Sequence, residues 1–323
     1  MSRSFHFLAY LSANNFGGIL ADDMGLGKTL QTLAWLEYLR SESRKQKAES
    51  RNAGPQTPDA IPHPQSSLVV CPKSVTDNWR AEAERFVTGL RVKIWSAGEL
   101  KTMAAHLDSA DLHVINYNQL RLLGESLAKV RWLAVILDEG QYIKNPSSIT
   151  AQIARGLRAQ HRLVLSGTPI ENRLTDLWSL MTFAMPGSVG SRAQFAKMFD
   201  AKDDPFARRR LAARVRPFLL RRTKSQVAKD LPDRTEEDLF CDIEGEQKTL
   251  YRAELKRAQA MLLGMQTPKQ LAEHRFHFLT SLLRLRQICC HPRLVKPDSK
   301  AESAKVGALF DQIEPLIDRK SVV

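Results

Sequence analysis

Apolar residues along this chain fall into two patterns whose alternation organises its first half. Short runs rich in apolar residues recur as Ile19-Leu20-Ala21 behind Gly17-Gly18, Ser67–Cys71, Arg91–Trp95, Leu112–Asn116, Trp132–Leu137 and His161–Leu165. Between them the apolar positions take helical spacing, as in Phe5–Leu11, Leu30–Leu39 and the segment through Trp79 and Phe86. Strands that are apolar on both faces and separated by helices predict an α/β fold with a parallel sheet covered by helices on both sides. From Ser41 to Gln65 the pattern lapses into polar and charged residues with Gly54, Pro55, Pro58, Pro62 and Pro64, which predicts a surface loop. Beyond Glu171 helical spacing dominates, over Leu174–Phe183, Gln194–Phe199, Glu246–Leu263, Lys269–Cys290 and Ala304–Ile317. Leu239–Ile243 is a candidate strand, Lys320–Val323 reads as a strand just entered, and no internal repeat is present.

In a parallel sheet, ligands gather at the carboxyl ends of the strands. The polar clusters fall at such ends: Asp22–Thr29, Pro72–Ser74, Asn116–Tyr117, Asp138–Gln141 and Ser166–Thr168. The first is Asp22-Asp23-Met24-Gly25-Leu26-Gly27-Lys28-Thr29, a glycine-punctuated turn opening a helix near Lys28. Such a turn aims backbone N–H groups and the positive helix end at polyphosphate, with Lys28 reaching the β/γ-phosphates and the Thr29 hydroxyl on Mg²⁺. Asp22 stands where the strict phosphate-loop pattern has glycine, and an isolated match of this kind reads equally well as a turn capping a helix. Asp138-Glu139-Gly140-Gln141 changes the balance. A carboxylate at a strand's end can hold Mg²⁺ and the next can deprotonate an attacking water. Phosphate loop and carboxylate pair at strand ends of one sheet together point to nucleotide hydrolysis. Ser166-Gly167-Thr168-Pro169 adds two hydroxyls and a tight turn, which alone would be an ordinary Ser/Thr turn with proline at the first helical position.

The chain has 323 residues, 43% hydrophobic and 26% charged, enough for one large α/β domain or two smaller ones. Its net charge of +13 points to an anionic partner, nucleic acid before membrane. The four cysteines, Cys71, Cys241, Cys289 and Cys290, contain no CxxC pair, so neither zinc nor a disulfide framework is expected, and Cys289-Cys290 reads as buried packing. No apolar run approaches membrane-spanning length. Phe5–Ala13 behind Arg3 is a poor signal peptide, because its cleavage would remove the helix leading into the phosphate loop. A bacterial cytoplasm or nucleoid, or a eukaryotic nucleus, is the expected compartment, and secretion is not.

Together these motifs resemble those of the Swi/Snf-type ATPases, DNA translocases of the second helicase superfamily. Asp22–Thr29 resembles motif I. Asp138–Gln141 with Ile143-Lys144-Asn145 resembles motif II, and Ser166-Gly167-Thr168-Pro169-Ile170-Glu171-Asn172 resembles motif III. Leu68–Pro72 with Trp79 is similar to motif Ia. Asp176-Leu177-Trp178, Phe218–Lys224, Gln247 with Leu250-Tyr251, and Leu285–Pro292 continue the likeness over nearly the whole chain. The family shares the aspartate at position 22. Gln141 stands where histidine is commoner, though glutamine occurs there too.

The resemblance implies a RecA-like lobe over residues 1–222 and, over 223–323, a mainly helical linker with the start of a second lobe. It implies ATP and Mg²⁺ as cofactors. Asp23, Met24, Gly25, Leu26, Gly27, Lys28, Thr29 and Gln141 would bind nucleotide, with Thr29 and Asp138 on the metal. Lys28, Asp138 and Glu139 would be catalytic, and Ser166, Gly167 and Thr168 would couple nucleotide state to DNA. Pro72, Lys73, Ser74, Asn116 and Tyr117 would lie against the backbone of double-stranded DNA. A DNA-bound protein or transcription complex would be a further partner. The arginines at 208, 209, 210, 214, 216, 221 and 222 are either a solvated face or a DNA or inter-lobe contact. On this reading the chain is a piece shortened at both ends. It lacks the adenine-reading glutamine and the arginine fingers of a full second lobe, and hydrolyses ATP poorly alone. A non-hydrolysing, nucleotide-dependent DNA- or partner-binding module is the alternative.

Overall fold

The structure is a computed structural model and describes residues 2–52, 66–167, 174–199, 206–227, 236–263 and 275–318. The chain divides into two compact units, Met1–Pro232 and Asp233–Val323.

Among the described residues the first unit is built on seven strands: β1 (Gly18–Leu20), β2 (Ser67–Cys71), β3 (Val92–Ile94), β4 (Leu112–Asn116), β5 (Arg131–Leu137), β6 (Arg158–Leu165) and β7 (Leu219–Leu220). Their order is β3-β4-β2-β5-β6-β1-β7 and every pairing is parallel. Alternate residues of each strand feed opposite faces. On one face Leu20, Val69, Cys71, Val114, Ile136 and Leu165 pack beneath α1 (Ser2–Ala13), α2 (Lys28–Asn52) and α3 (Thr76–Phe86). On the other, Ile19, Val70, Ile115, Val135, Leu137 and Val164 meet α4 (Tyr117–Lys129), α5 (Ile149–Gly156) and α6 (Leu174–Ala184). Phe195 and Phe199 of α7 (Arg192–Phe199) and Leu211 and Val215 of α8 (Ala207–Val215) extend that second core. Burial on both faces explains why the strands read as continuous apolar runs. The expected α/β architecture with helices on both faces is the one observed.

Three expectations change. Ser41–Asn52 is not loop but the continuation of α2, because its Glu, Lys, Arg, Gln and Ala residues are good helix formers and the first proline comes only at Pro55. Glu42 and Lys45 pair at 2.9 Å along it. The rest of that proposed loop lies outside the described residues. Second, the basic stretch around residues 206–224, whose spacing reads as helical, breaks at Leu219-Leu220 to form β7, pairing with Ile19 and Leu20. Third, residues 239–243 make no strand, and Phe240 there is 91% exposed. The strand expected at Lys320–Val323 lies outside the described residues.

A short helix, α9 (Lys224–Val227), ends the described part of the first unit. The second unit is helical: α10 (Gly245–Leu263), α11 (Arg275–Cys290) and α12 (Ala304–Asp318). Buried Gln247 ties them together, donating through Nε2 to Ile288 O at 2.8 Å and accepting at Oε1 from Ala304 N at 3.2 Å. Cys290 is exposed and Cys289 half-buried, so the expected buried packing of the pair is not what forms. Adjacent residues on a helix point about 100° apart, and only one face of α11 is covered.

Candidate nucleotide site

All strands run the same way, so the turns after β1, β5 and β6 share one edge of the sheet, with β6 between β1 and β5. The turn after β1 is the glycine loop. Gly25 (φ 82°) and Gly27 (φ 72°) adopt left-handed conformations that a side chain would strain, which leaves the loop's backbone free to curl toward the start of α2. Lys28 Nζ donates to Asp22 O at 2.7 Å and Asp23 O at 3.3 Å, so its ammonium lies folded inside the loop. Gln31 Nε2 donates to Leu26 O at 2.6 Å, and the Thr32 hydroxyl to Lys28 O at 2.8 Å.

Asp22, at the position where the strict pattern has glycine, is fully buried and ion-paired with Arg222. The Arg222 guanidinium reaches both carboxylate oxygens, and its backbone N–H donates to Oδ1 at 3.0 Å. The backbone adds Ala21 N to Leu220 O at 2.7 Å and Asp23 N to Arg222 O at 3.0 Å. The chain leaving β7 is thus stitched along the phosphate loop. Arg222 is neither solvated nor aimed outward, whereas Arg208, Arg209, Arg210, Arg214 and Arg216 do project from the exposed side of α8 and the turn after it.

The turn after β5 carries the carboxylate pair. Asp138 Oδ2 accepts from Trp79 Nε1 at 2.9 Å and Oδ1 from Glu139 N at 2.9 Å. Burial pushes its carboxyl above the usual range, with Glu139 adding to the rise. The Trp79 and Glu139 N–H bonds and the nearby Lys28 ammonium oppose it. Such a group gains from a cation brought against it. Glu139 is held in the left-handed region (φ 54°, ψ 60°), rare for a residue with a side chain, and its Oε2 accepts from Gln141 Nε2 at 2.8 Å. Gly140 packs so closely that a Cβ there would lie 2.4 Å from Val164 Cγ1 and force its neighbours to shift. Behind the pair, burial and the Asp138 charge push the Cys71 thiol up to about 12, making it a packing residue.

Between the two turns, Ser166 follows β6, fully buried, and its N–H donates to Leu20 O at 3.1 Å. Gly167 lies against the loop, where a Cβ would sit 3.7 Å from Met24 Cγ. Thr168, and Pro169 to Asn172 with it, lie outside the described residues.

The residues expected against DNA separate. Lys73 and Ser74 are exposed on a turn at the end of β2, with Pro72 half-buried before them. The Asn116 side chain is committed to capping α4, accepting from Asn118 N and Gln119 N. Tyr117 is buried rather than offered outward: its ring stacks on Tyr142 at 4.5 Å and its hydroxyl donates to Asp138 O at 2.6 Å. It buttresses the carboxylate turn. Trp79, Tyr117 and Arg222 therefore support the site in ways that spacing did not show, and the unusual Asp22 was the one hint for Arg222.

The arrangement suits a magnesium-bound polyphosphate. The glycine loop with the Lys28 ammonium follows β1, and the buried Asp138 carboxylate, whose carboxyl burial pushes up, follows β5 at the same sheet edge.

Residues 2–294 match the family described as the SNF2-related domain. The chain is 33% identical over 329 residues to the TATA-binding protein-associated factor MOT1 of Saccharomyces cerevisiae, covering 95% of this chain and 17% of that protein. It is 33% identical over 306 residues to an uncharacterized ATP-dependent helicase of Mycoplasma pneumoniae, covering 91% of this chain and 27% of the relative. Among solved structures it resembles the Sulfolobus solfataricus SWI2/SNF2 ATPase core in complex with dsDNA. That likeness has a TM-score of 0.61 and 33% identity, over 98% of this chain and 64% of the other. The chain thus spans only part of the length of the proteins it matches.

Proposed function

Because this chain belongs to the SNF2-related domain family, we propose that it is the ATP-binding lobe of a DNA-dependent ATPase that translocates on duplex DNA and remodels protein–DNA complexes. The observation that carries the reading is the convergence of the Gly25–Thr29 loop and the Asp138–Glu139 pair at the carboxyl ends of β1 and β5.

Bound Mg²⁺·ATP supplies the phosphoryl group for in-line transfer and the metal charge that offsets its oxygens. The chain's own residues do the rest. The backbone N–H groups of Gly25, Gly27, Lys28 and Thr29 would bind phosphate, and Lys28 would exchange its loop carbonyls for the β/γ-oxygens. Thr29 and Asp138 would hold the Mg²⁺ ion. Glu139 orients a water and takes its proton, and Gln141 fixes the Glu139 carboxylate through the 2.8 Å bond. Ser166 and Gly167, with Thr168, transmit the nucleotide state across the sheet edge. Lys73 and Ser74 contact DNA phosphate without reading sequence. The yeast relative is named for its association with the TATA-binding protein, and the archaeal core was solved on dsDNA. A DNA-bound protein as the displaced partner agrees with both. Because the chain covers 64% of that archaeal core, we assign rapid turnover to the longer assembly, with residues 1–323 alone binding ATP and hydrolysing it slowly.

The test compares ATP binding and turnover, with and without duplex DNA, in the longer protein and in residues 1–323. Glu139→Gln should retain ATP binding while turnover falls at least about 10²-fold, and Lys28→Ala should lose binding. DNA affinity should fall with salt at a slope of roughly −0.9 per neutralised phosphate. Turnover in the longer protein that duplex DNA leaves unchanged would sink the translocase reading and favour a nucleotide-dependent binding module.

A further inference from the structure

The segment after β7 does more than brace the loop. Lys224, first residue of α9, donates its backbone N–H to Asp23 Oδ2 at 3.0 Å. Its side chain arches over the phosphate loop: a methyl group placed on Gly25 would lie 3.5 Å from Lys224 Cε and 3.6 Å from Nζ. Lys28 is engaged with two carbonyls inside the loop, but Lys224 has no ion pair among the described residues and its side chain is exposed. An ammonium held over the glycine loop that opens α2 is placed for an anion bound at that loop. What sets its position is also visible. Arg222, two residues earlier, is locked to buried Asp22 through side chain and backbone, and the Asp23–Arg222 and Ala21–Leu220 backbone bonds fix the path between.

We propose that Lys224 is a second cation of the nucleotide site, contacting the β/γ-phosphates in addition to Lys28, and that the Asp22–Arg222 ion pair is the positioning device that holds it over the loop. This rests on the nucleotide reading above. It assigns a role to a cation 196 positions after Lys28 in the chain. It also explains why a buried carboxylate replaces glycine at position 22: the loop needs an anchor for the segment that delivers the second charge.

The experiment measures affinity for ATP, ADP and AMP by displacement of a fluorescent ATP analogue, with Mg²⁺ present, on the 323-residue chain. Variants are Lys224→Ala, Lys224→Arg, Lys28→Ala and Arg222→Ala, with a thermal melt on each. Lys224→Ala should weaken ATP and ADP about tenfold, leave AMP unchanged because it lacks the β/γ-phosphates, and be rescued by Lys224→Arg. In the Arg222→Ala background, Lys224→Ala should have little further effect, which a purely structural role for Arg222 would not produce. Should Arg222→Ala fail to melt cooperatively, the same cycle is run on Asp22→Asn, which keeps the side chain's shape and removes its charge. Wild-type ATP affinity in Lys224→Ala beside lost affinity in Lys28→Ala overturns the proposal and leaves the nucleotide site standing. Additive effects of Arg222 and Lys224 overturn the positioning role, and a wild-type chain that binds no nucleotide overturns both readings.

Discussion

At the scale of single residues, the buried histidine of β6 shows how this fold sets its own pH limits. His161 is 4% exposed, its ring edge-to-face with Trp35 at 6.1 Å, and burial pushes its imidazole down from 6.5 to about 4. The folded chain therefore holds it neutral where the unfolded chain would protonate it. Stability from this group is complete above pH 6.5 and is lost as pH falls toward 4, at up to about 1.4 kcal/mol per unit, or about 3 kcal/mol in all. Urea denaturation at pH 7 and pH 5 should show that decline, and His161→Phe should flatten it. An equal decline in the variant would assign the effect to other groups. His113 leans the same way, because it too is fully buried and burial pushes its imidazole down, with its backbone bonds opposing. Trp95 Nε1 donates to its Nδ1 at 3.0 Å and its Nε2 faces Leu107 O at 3.0 Å, which fixes the tautomer with the proton on Nε2.

Residue types alone pointed to the chemistry proposed here, because Lys28, Asp138 and Glu139 have few substitutes in phosphoryl transfer. They did not identify the supports. Arg222 and Asp22 are 200 positions apart, and neither periodicity nor local spacing carries information across that distance. Tyr117 was misplaced for a related reason. A tyrosine at a strand end looks the same in sequence whether its hydroxyl faces solvent or, as it does, Asp138 O.

Among the secondary elements, legibility followed length and burial. The runs at β2, β4, β5 and β6 are apolar through several positions because helices cover both their faces, and the sequence marks them clearly. β7 has two residues set among arginines, and it exists because β1 offers it an edge and the loop offers Arg222 an anchor. The second half of α2 was misread because charged residues fit a helix and a loop equally well until the prolines begin. The turn after β5 is where one element meets another most tightly. Gly140→Ala would drive its Cβ to 2.4 Å from Val164 Cγ1 on β6 and should destabilise the fold by about 1–3 kcal/mol. Val164→Ala opens the same space, so the double variant should be less destabilised than the sum of the two singles. A double-mutant cycle in urea measures this, and simple additivity would mean that the turn yields elsewhere.

For the whole molecule, the two units differ in how completely they cover their apolar surface. The first closes both faces of its sheet with helices, and its largest side chains, Trp79, Trp95, Trp132, Phe183 and Phe195, are fully buried. The second has three described helices held by Gln247 and leaves Leu263 (84% exposed), Phe276 (79%), Leu283 and Phe310 facing solvent. No described helix is long and apolar enough to cross a membrane. Scattered exposed apolar residues are ordinary on folded proteins, but Phe276, Leu279, Leu282 and Leu283 lie within two turns of α11 and form a contiguous patch. Water ordered against such a patch is released when two copies meet. The net charge of +13 opposes that encounter at low salt and is screened as salt rises. Residues 1–323 in isolation should therefore self-associate, with a mean mass by light scattering that grows with both protein concentration and salt. Phe276→Asp with Leu283→Lys, substituted at exposed positions, should restore a monomer while leaving the melting of the first unit unchanged. A monodisperse wild-type chain at high salt would show that the patch is too small to drive association by itself.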